Sequence, residues 1–308
     1  MRSILTRIVL LVVTVWLILT VGYVCIYRLP GDPARIILGR QASEETLQAY
    51  RARAGLDLPL WRQYETFVWR VAHLDFGDSL LYRRPVSGLL RERSTLTLRL
   101  VCLALLESIS LAFVFPIGFR LVGMQRVRKW LQNVSTALGV APPYVLGVTS
   151  LAVFAGWLAW VSPIFEPMKS SAWIMPSLVL AAYPTAVTMR LFNNQLDTVL
   201  HAPYIVRAKA MGFPYRTILV HEALPNAMTA ALAALANGLA AFWTGTFFVE
   251  VIFGIGGLGQ LTYEAISNKD IALLAALCLV FAIGITVISA TLEVCQLLLD
   301  PRLRENRA

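Results

Sequence analysis

A helix needs roughly 20 mostly apolar residues to cross the hydrocarbon core of a bilayer. Six stretches of this 308-residue chain reach that length, at about 4–27, 96–122, 142–161, 173–192, 227–251 and 271–299. Lipid offers no partner for backbone N–H and C=O groups, so such stretches must satisfy them internally, as helices. The fold class expected is therefore an all-α integral membrane protein with six transmembrane helices. Pro176 and Pro184 interrupt the fourth stretch, and prolines in spans are tolerated where neighbours satisfy the freed carbonyls. The first stretch is too long for the apolar region of a signal peptide and no small-residue cleavage site follows it. An uncleaved span is expected.

Composition agrees. A soluble domain is about 45–50% apolar and about 25% charged; here the values are 57% and 15%, with mean hydropathy +0.66. The net charge of +9 suits nucleic acid or membrane topology. No segment forms a basic nucleic-acid face, so the partner read from charge is the lipid bilayer. With the N-terminus inside, the inner segments carry thirteen Lys and Arg and the two short outer loops only Lys169 and Lys269. Positive charge collects on the cytoplasmic side, which places both termini there. The long loop of residues 28–95 escapes that rule by its length. Within it, Ser43 is a candidate N-cap, Gly55 and Pro59 form a break, and an amphipathic helix is expected over 60–73. These helices either lie over the outer face or the mouth of a pathway, or pack as a small cap.

Catalytic chemistry finds no footing. There is no HExxH, GxSxG, CxxC or Ser/His/Asp order, and His73, His201 and His221 are dispersed. Cys25, Cys102, Cys278 and Cys295 sit in apolar stretches as small buried hydrophobes. No catalytic, cofactor or metal residue is expected, and the chain is not expected to be an enzyme. The glycine-rich 253–260 lacks the lysine of a phosphate-binding loop and reads as an outer turn or re-entrant segment. Three acids fall in apolar stretches, Glu107, Glu250 and Glu293, and charge there is costly. Glu107, near the middle of the second stretch, either lines a solute pathway or joins two helices by a hydrogen bond.

The remaining feature is a polar, basic island, 204–225, between two apolar stretches. Pro203 suits the first turn of a helix, Gly212 terminates it, and Pro214 disfavours continuation. A second helix then leads back into the membrane. Tyr204, Ala208 and Gly212 share one face, where small residues let another protein approach. Arg207 and Lys209 suit acidic groups on a partner or anionic lipid headgroups.

The pattern Tyr204-x3-Ala208-x-Ala210-x-Gly212, followed after eleven residues by Leu224-Pro225, resembles the EAA loop of ABC importer permeases. Further motifs along nearly the whole chain resemble the dipeptide, oligopeptide and nickel permeases of that class. They are Pro30-Gly31-Asp32-Pro33, Gly55-Leu56-Asp57-Leu58-Pro59, Asp75-Phe76-Gly77-Asp78-Ser79, Gly139-Val140-Ala141-Pro142-Pro143, Gly257-Leu258-Gly259, Asp270 and Asp300-Pro301-Arg302. Gly256 stands where the family has proline. His73 to Gly77, with Trp69 before it, leans toward the nickel branch.

The resemblance implies a type I ABC importer permease fold in one transmembrane domain of residues 1–308. Its parts are a first helix (1–27), an extracytoplasmic loop (28–95), a five-helix core (96–299) carrying the coupling loop 193–225, and a cytoplasmic tail (300–308). It implies a second homologous permease subunit in a heterodimer, two cytoplasmic ABC ATPases, and an extracytoplasmic solute-binding protein, in a bacterial inner membrane. Solutes would be peptides, nickel or metal chelates. Tyr204, Arg207, Ala208, Ala210, Gly212, Leu224 and Pro225 would couple to the ATPase, with Glu107 the pathway candidate. The competing reading, a secondary ion-coupled transporter, would need a coupling site of its own, again Glu107, and inverted repeats.

Overall fold

Helices account for the regular structure of this chain, seen in a computed structural model described over residues 12–13, 16–17, 20–21, 23–24, 33–39, 42–73 and 75–299, apart from one bridge between Asp78 and Pro85. Two compact units divide it.

The first unit comprises residues up to Leu96 together with Gly256–Thr286. It holds α1 (Pro33–Leu38), α2 (Glu44–Ala54) and α3 (Leu60–Ala72). Ser43 Oγ accepts from Thr46 N at 3.2 Å and caps α2, and Gly55 ends it at φ +70°. A cap of this kind contributes about 1 kcal/mol. Tyr64 and Phe67 of α3 pack against Tyr23, edge-on and tilted, with ring centroids 5.4 and 5.2 Å away. The unit also contains α10 (Leu258–Ser267), which nothing in the hydropathy pattern announces, and the start of α11 (Ile271–Leu299).

The second unit comprises Thr97–Ile255 and the chain from Val287. Its axis is α7 (Ser170–Leu200), packed along α9 (Leu224–Phe253) and α5 (Gln125–Val140). The core gathers Phe113, Met189, Phe192, Leu196, Ile218 and Leu219, with Phe113 set edge-on to Phe192 at 5.1 Å. At Gly139 of α5 an added Cβ would lie 2.2 Å from Ala186 Cβ of α7. Only glycine permits that approach, the small-residue packing that membrane helices use.

Four helices among the described residues are long and apolar enough to span: α4 (Val86–Leu121), α7, Ala231–Phe253 of α9 and Ile271–Ile288 of α11. The pair α5 and α6 (Pro143–Trp157), bent by 108°, makes a fifth if counted as one. The first expected span, 4–27, lies mostly outside the described residues. The third differs from expectation. In place of a full span over 142–161, the helix there is α6, Pro143–Trp157, and a break at Ala141 and Pro142, at ψ 136° and 142°, sets it off from α5. Two successive prolines explain it: each removes an N–H and disfavours helical ψ in the residue before. Helix α4 also starts ten residues before the apolar stretch. Its first turns carry Arg91, Glu92 and Arg93, which hide them from a hydropathy window.

Three π-helical segments occur among the described residues, Ser110–Val114 within α4, Leu151–Trp157 at the end of α6 and Ile218–Ala223 leading into α9. The first and third precede a proline by two residues, Pro116 and Pro225. A proline ring collides with the carbonyl four residues back, and the wider turn relieves it.

Candidate functional site

The polar island folds as a short helix, a turn and a helix entrance. Helix α8 (Pro203–Ala210) begins at Pro203, after Ala202 in extended conformation. Gly212 closes it at φ +83°. Its N–H reaches the Lys209 carbonyl at 3.0 Å and the Phe213 N–H reaches the Ala208 carbonyl at 3.3 Å, the paired bonds of a Schellman ending. Pro214 is extended, and the turns Tyr215–Thr217 and Ile218–Ala223 run on into α9.

The side chains divide between two faces. Ile205 is fully buried, and Ala208 and Leu224 pack beside it in the core of the second unit with Ile218 and Leu219. Ala208 and Leu224 thus meet in one apolar cluster, and the smallness of Ala208 serves packing within the chain. The outward face holds Tyr204, Arg207, Ala210 and Gly212, all exposed, and Pro225 is exposed at the start of α9. A Cβ on Gly212 would meet nothing within 4 Å. Lys209 turns back, its Nζ 3.4 Å from the Leu200 carbonyl at the end of α7.

Sequence reasoning passed over the most telling residues here. Val206, Met211, Phe213 and Tyr215 are exposed, Met211 and Phe213 by 59% and 51%. Grouped on one short turn, they make it a candidate contact surface. Their signal in the sequence is weak: four apolar residues among polar ones, at spacings that match neither helix face.

Just before α8, the last turns of α7 meet two arginines. Arg120 Nη2 donates to Asp197 Oδ1 at 2.6 Å, and Arg128 Nη1 donates to Asn193 Oδ1 at 3.0 Å. Arg120 and Arg128 are only 5% and 7% exposed.

Glu107 stands elsewhere, half-buried on α4, where Ser177 Oγ of α7 lies 2.8 Å from its Oε1. Its Oε2 is enclosed with no hydrogen-bond partner among the described residues. At the next residue of α4, about two turns further along α7, Thr185 Oγ1 and Ser108 Oγ are 3.0 Å apart, so a polar seam joins α4 and α7. Glu250 is fully buried and accepts from Thr97 Oγ1 at 2.7 Å. The side chain of Glu293 lies outside the described residues. At the glycine-rich turn, Gly254 ends α9 at φ +68°, and Arg93 Nη1 donates to the Gly256 carbonyl at 2.8 Å. No group of His, Cys, Asp and Glu among the described residues is arranged to hold a metal.

Comparison with known proteins adds three findings. The family described as binding-protein-dependent transport system inner membrane component matches residues 101–305, and its N-terminal membrane component matches residues 1–101. The glutathione transport system permease protein GsiC of Escherichia coli (strain K12) is 27% identical over 308 residues, 99% of each chain. The GsiC of Salmonella choleraesuis (strain SC-B67) shows the same identity and coverage. In the crystal structure of an amino acid ABC transporter with histidines, one chain superposes with a TM-score of 0.54 at 15% identity, covering 68% of this chain and 94% of that one. That last likeness concerns the fold alone.

Proposed function

From the premise that the chain belongs to the binding-protein-dependent transport system inner membrane components, as an ABC importer permease, we propose that it forms the translocation pathway for short peptides of the glutathione kind. The solute class rests on the relatives named for glutathione transport. In this reading six helices span a bacterial inner membrane as one domain with both termini in the cytoplasm, the first helix being residues 4–27. A second, homologous permease subunit completes the pathway, and an extracytoplasmic binding protein delivers the solute. Two cytoplasmic ATPases supply the energy, since the glycine-rich turn has no phosphate-binding lysine.

The observation that carries the reading is α8. Its outward face offers Tyr204, Val206, Arg207, Ala210 and Gly212, continued by Met211 and Phe213, at the turn between two long helices. A groove on an ATPase receives this face, and closure of the ATPases displaces α8 and tilts α7 and α9. ATP binding can shift the permease between inward and outward states only through different affinities for the two. The test is uptake of glutathione and of a dipeptide into vesicles holding the chain and its partners. Uptake that requires ATP, the ATPases and the binding protein is expected. Uptake driven by an ion gradient without them would establish a secondary transporter instead.

A further inference from the structure

We propose that Arg120, Arg128, Asn193 and Asp197 form a positioning cluster that carries the displacement of α8 into the inner ends of α4 and α5. The proposal rests on the reading of α8 as the ATPase contact and adds the route by which its motion leaves the loop.

Asn193 and Asp197 are four residues apart near the end of α7, so they share one face. Arg120 ends α4 and Arg128 opens α5. Both reach the same amide oxygen, Arg128 Nη1 at 3.0 Å and Arg120 Nη2 at 3.5 Å, while Arg120 Nη2 also holds Asp197 at 2.6 Å. Three helix ends are thereby tied at one point. The tie continues into the loop. His201 Nδ1 lies 2.7 Å from the Asp197 carbonyl, two residues before Pro203 opens α8.

Local preference does not explain the arrangement. A cation suits the C-terminal end of α4, but Arg128 sits at the N-terminal end of α5, where the helix dipole disfavours it. Gln125 Oε1, 3.1 Å from Arg128 Nε, and Asn193 hold it there. Two buried guanidiniums share the Asn193 amide oxygen, and the one carboxylate beside them, Asp197, pairs with Arg120 and is half exposed. Buried ion pairs are poor sources of stability, and their best-attested use is to fix one arrangement against another. Moreover, Arg120 Nε is enclosed without a hydrogen-bond partner among the described residues. An unmet buried donor is costly, and a turn of the guanidinium that brings Nε onto Asp197 satisfies it. The arrangement seen is one pairing, a second is open to Arg120 Nε on Asp197, and in this proposal a shift of α7 at the base of α8 selects between them.

The test uses the assembled transporter with its four native cysteines replaced and one thiol added at the exposed end of α4 as Leu121→Cys. The rate at which a water-soluble maleimide labels it is read with and without a non-hydrolysable ATP analogue. The analogue is expected to change that rate by roughly 5-fold or more, the lower range of coupling between sites. Asp197→Asn, which keeps the side-chain shape, and Arg120→Lys, which keeps the charge but loses the fork, should both abolish the change while the ATPases still co-purify. The exchanged pair Arg120→Asp with Asp197→Arg should recover part of it. A nucleotide response that survives in Asp197→Asn, or one absent at Leu121→Cys with otherwise native cluster residues, overturns the proposal. So does loss of the ATPases from Asp197→Asn, which would make the cluster a support of the docking surface. Failure of the ATPases to co-purify with the unmutated chain would instead overturn the reading of α8.

Discussion

Ser79 Oγ donates a 2.6 Å hydrogen bond to Asp270 Oδ2 across 191 residues of sequence. The same carboxylate accepts from Leu81 N at 3.1 Å and, through Oδ1, from Leu273 N at 3.0 Å. Asp270 thus caps α11 and holds the turn that precedes α4, fully buried. Asp270→Ala leaves three donors unpaired, two of them enclosed, and should cost about 3 kcal/mol, against about 1 kcal/mol for Ser79→Ala. Thermal unfolding in detergent checks the order: equal losses would show that Ser79 alone carries the link.

Gly139→Ala places a methyl group 2.2 Å from Ala186 Cβ. Helix α5 must then move off α7, at a cost of about 1–3 kcal/mol. Gly118→Ala in α4, which meets nothing within 4 Å, should be neutral or slightly stabilising. Unfolding midpoints of the two variants compared with the parent decide; a tolerated Gly139→Ala would mean the helices are not in register there.

Tyr82 titrates late. Burial, then the hydrogen bond it donates to Glu264 and that carboxylate's charge, push its phenol from 10.0 up to about 12. A raised phenol keeps its proton in the folded chain after the unfolded chain has lost it. Its contribution is complete below pH 10 and is lost as pH rises through about 12. A difference ultraviolet titration of the parent against Tyr82→Phe should show one tyrosine ionising near the upper value. A component near 10 would show that the contact with Glu264 does not form in solution.

Glu107→Gln keeps an acceptor for Ser177 and should preserve both accumulation and ATP-driven uptake. Glu107→Ala removes that acceptor and should lower accumulation. If Glu107→Gln abolishes solute uptake at normal accumulation, the carboxylate itself belongs to the pathway.

Local chain chemistry was the legible part. Ser43, Gly55, Pro203, Gly212 and Pro214 each act on backbone geometry within a few residues, and each stands where the sequence places it. What depends on contact between distant residues was not legible. Asp75 to Ser79 and Asp270 read as separate motifs until the fold joined Ser79 to Asp270. The glycine at 256, where the resembling family has proline, gains its reason from Arg93, whose guanidinium occupies the space a side chain would take. Ala208 read as part of an outward small-residue face, yet it packs half-buried beside Ile205. The outward face became visible only once burial had claimed Ile205, Ile218 and Leu219 and left Met211 and Phe213 uncovered.

The central claim, that α8 and its closing turn dock on a cytoplasmic ATPase, is tested most directly at Gly212. A side chain there meets nothing within the chain, so its only internal cost is the left-handed backbone, which asparagine tolerates best. The measurement is co-purification of the ATPases with Gly212→Asn and Gly212→Glu from membranes containing equal amounts of each chain. The account predicts ATPase retained with Gly212→Asn and lost with Gly212→Glu. Full retention by Gly212→Glu, together with normal ATP-driven uptake, would contradict it.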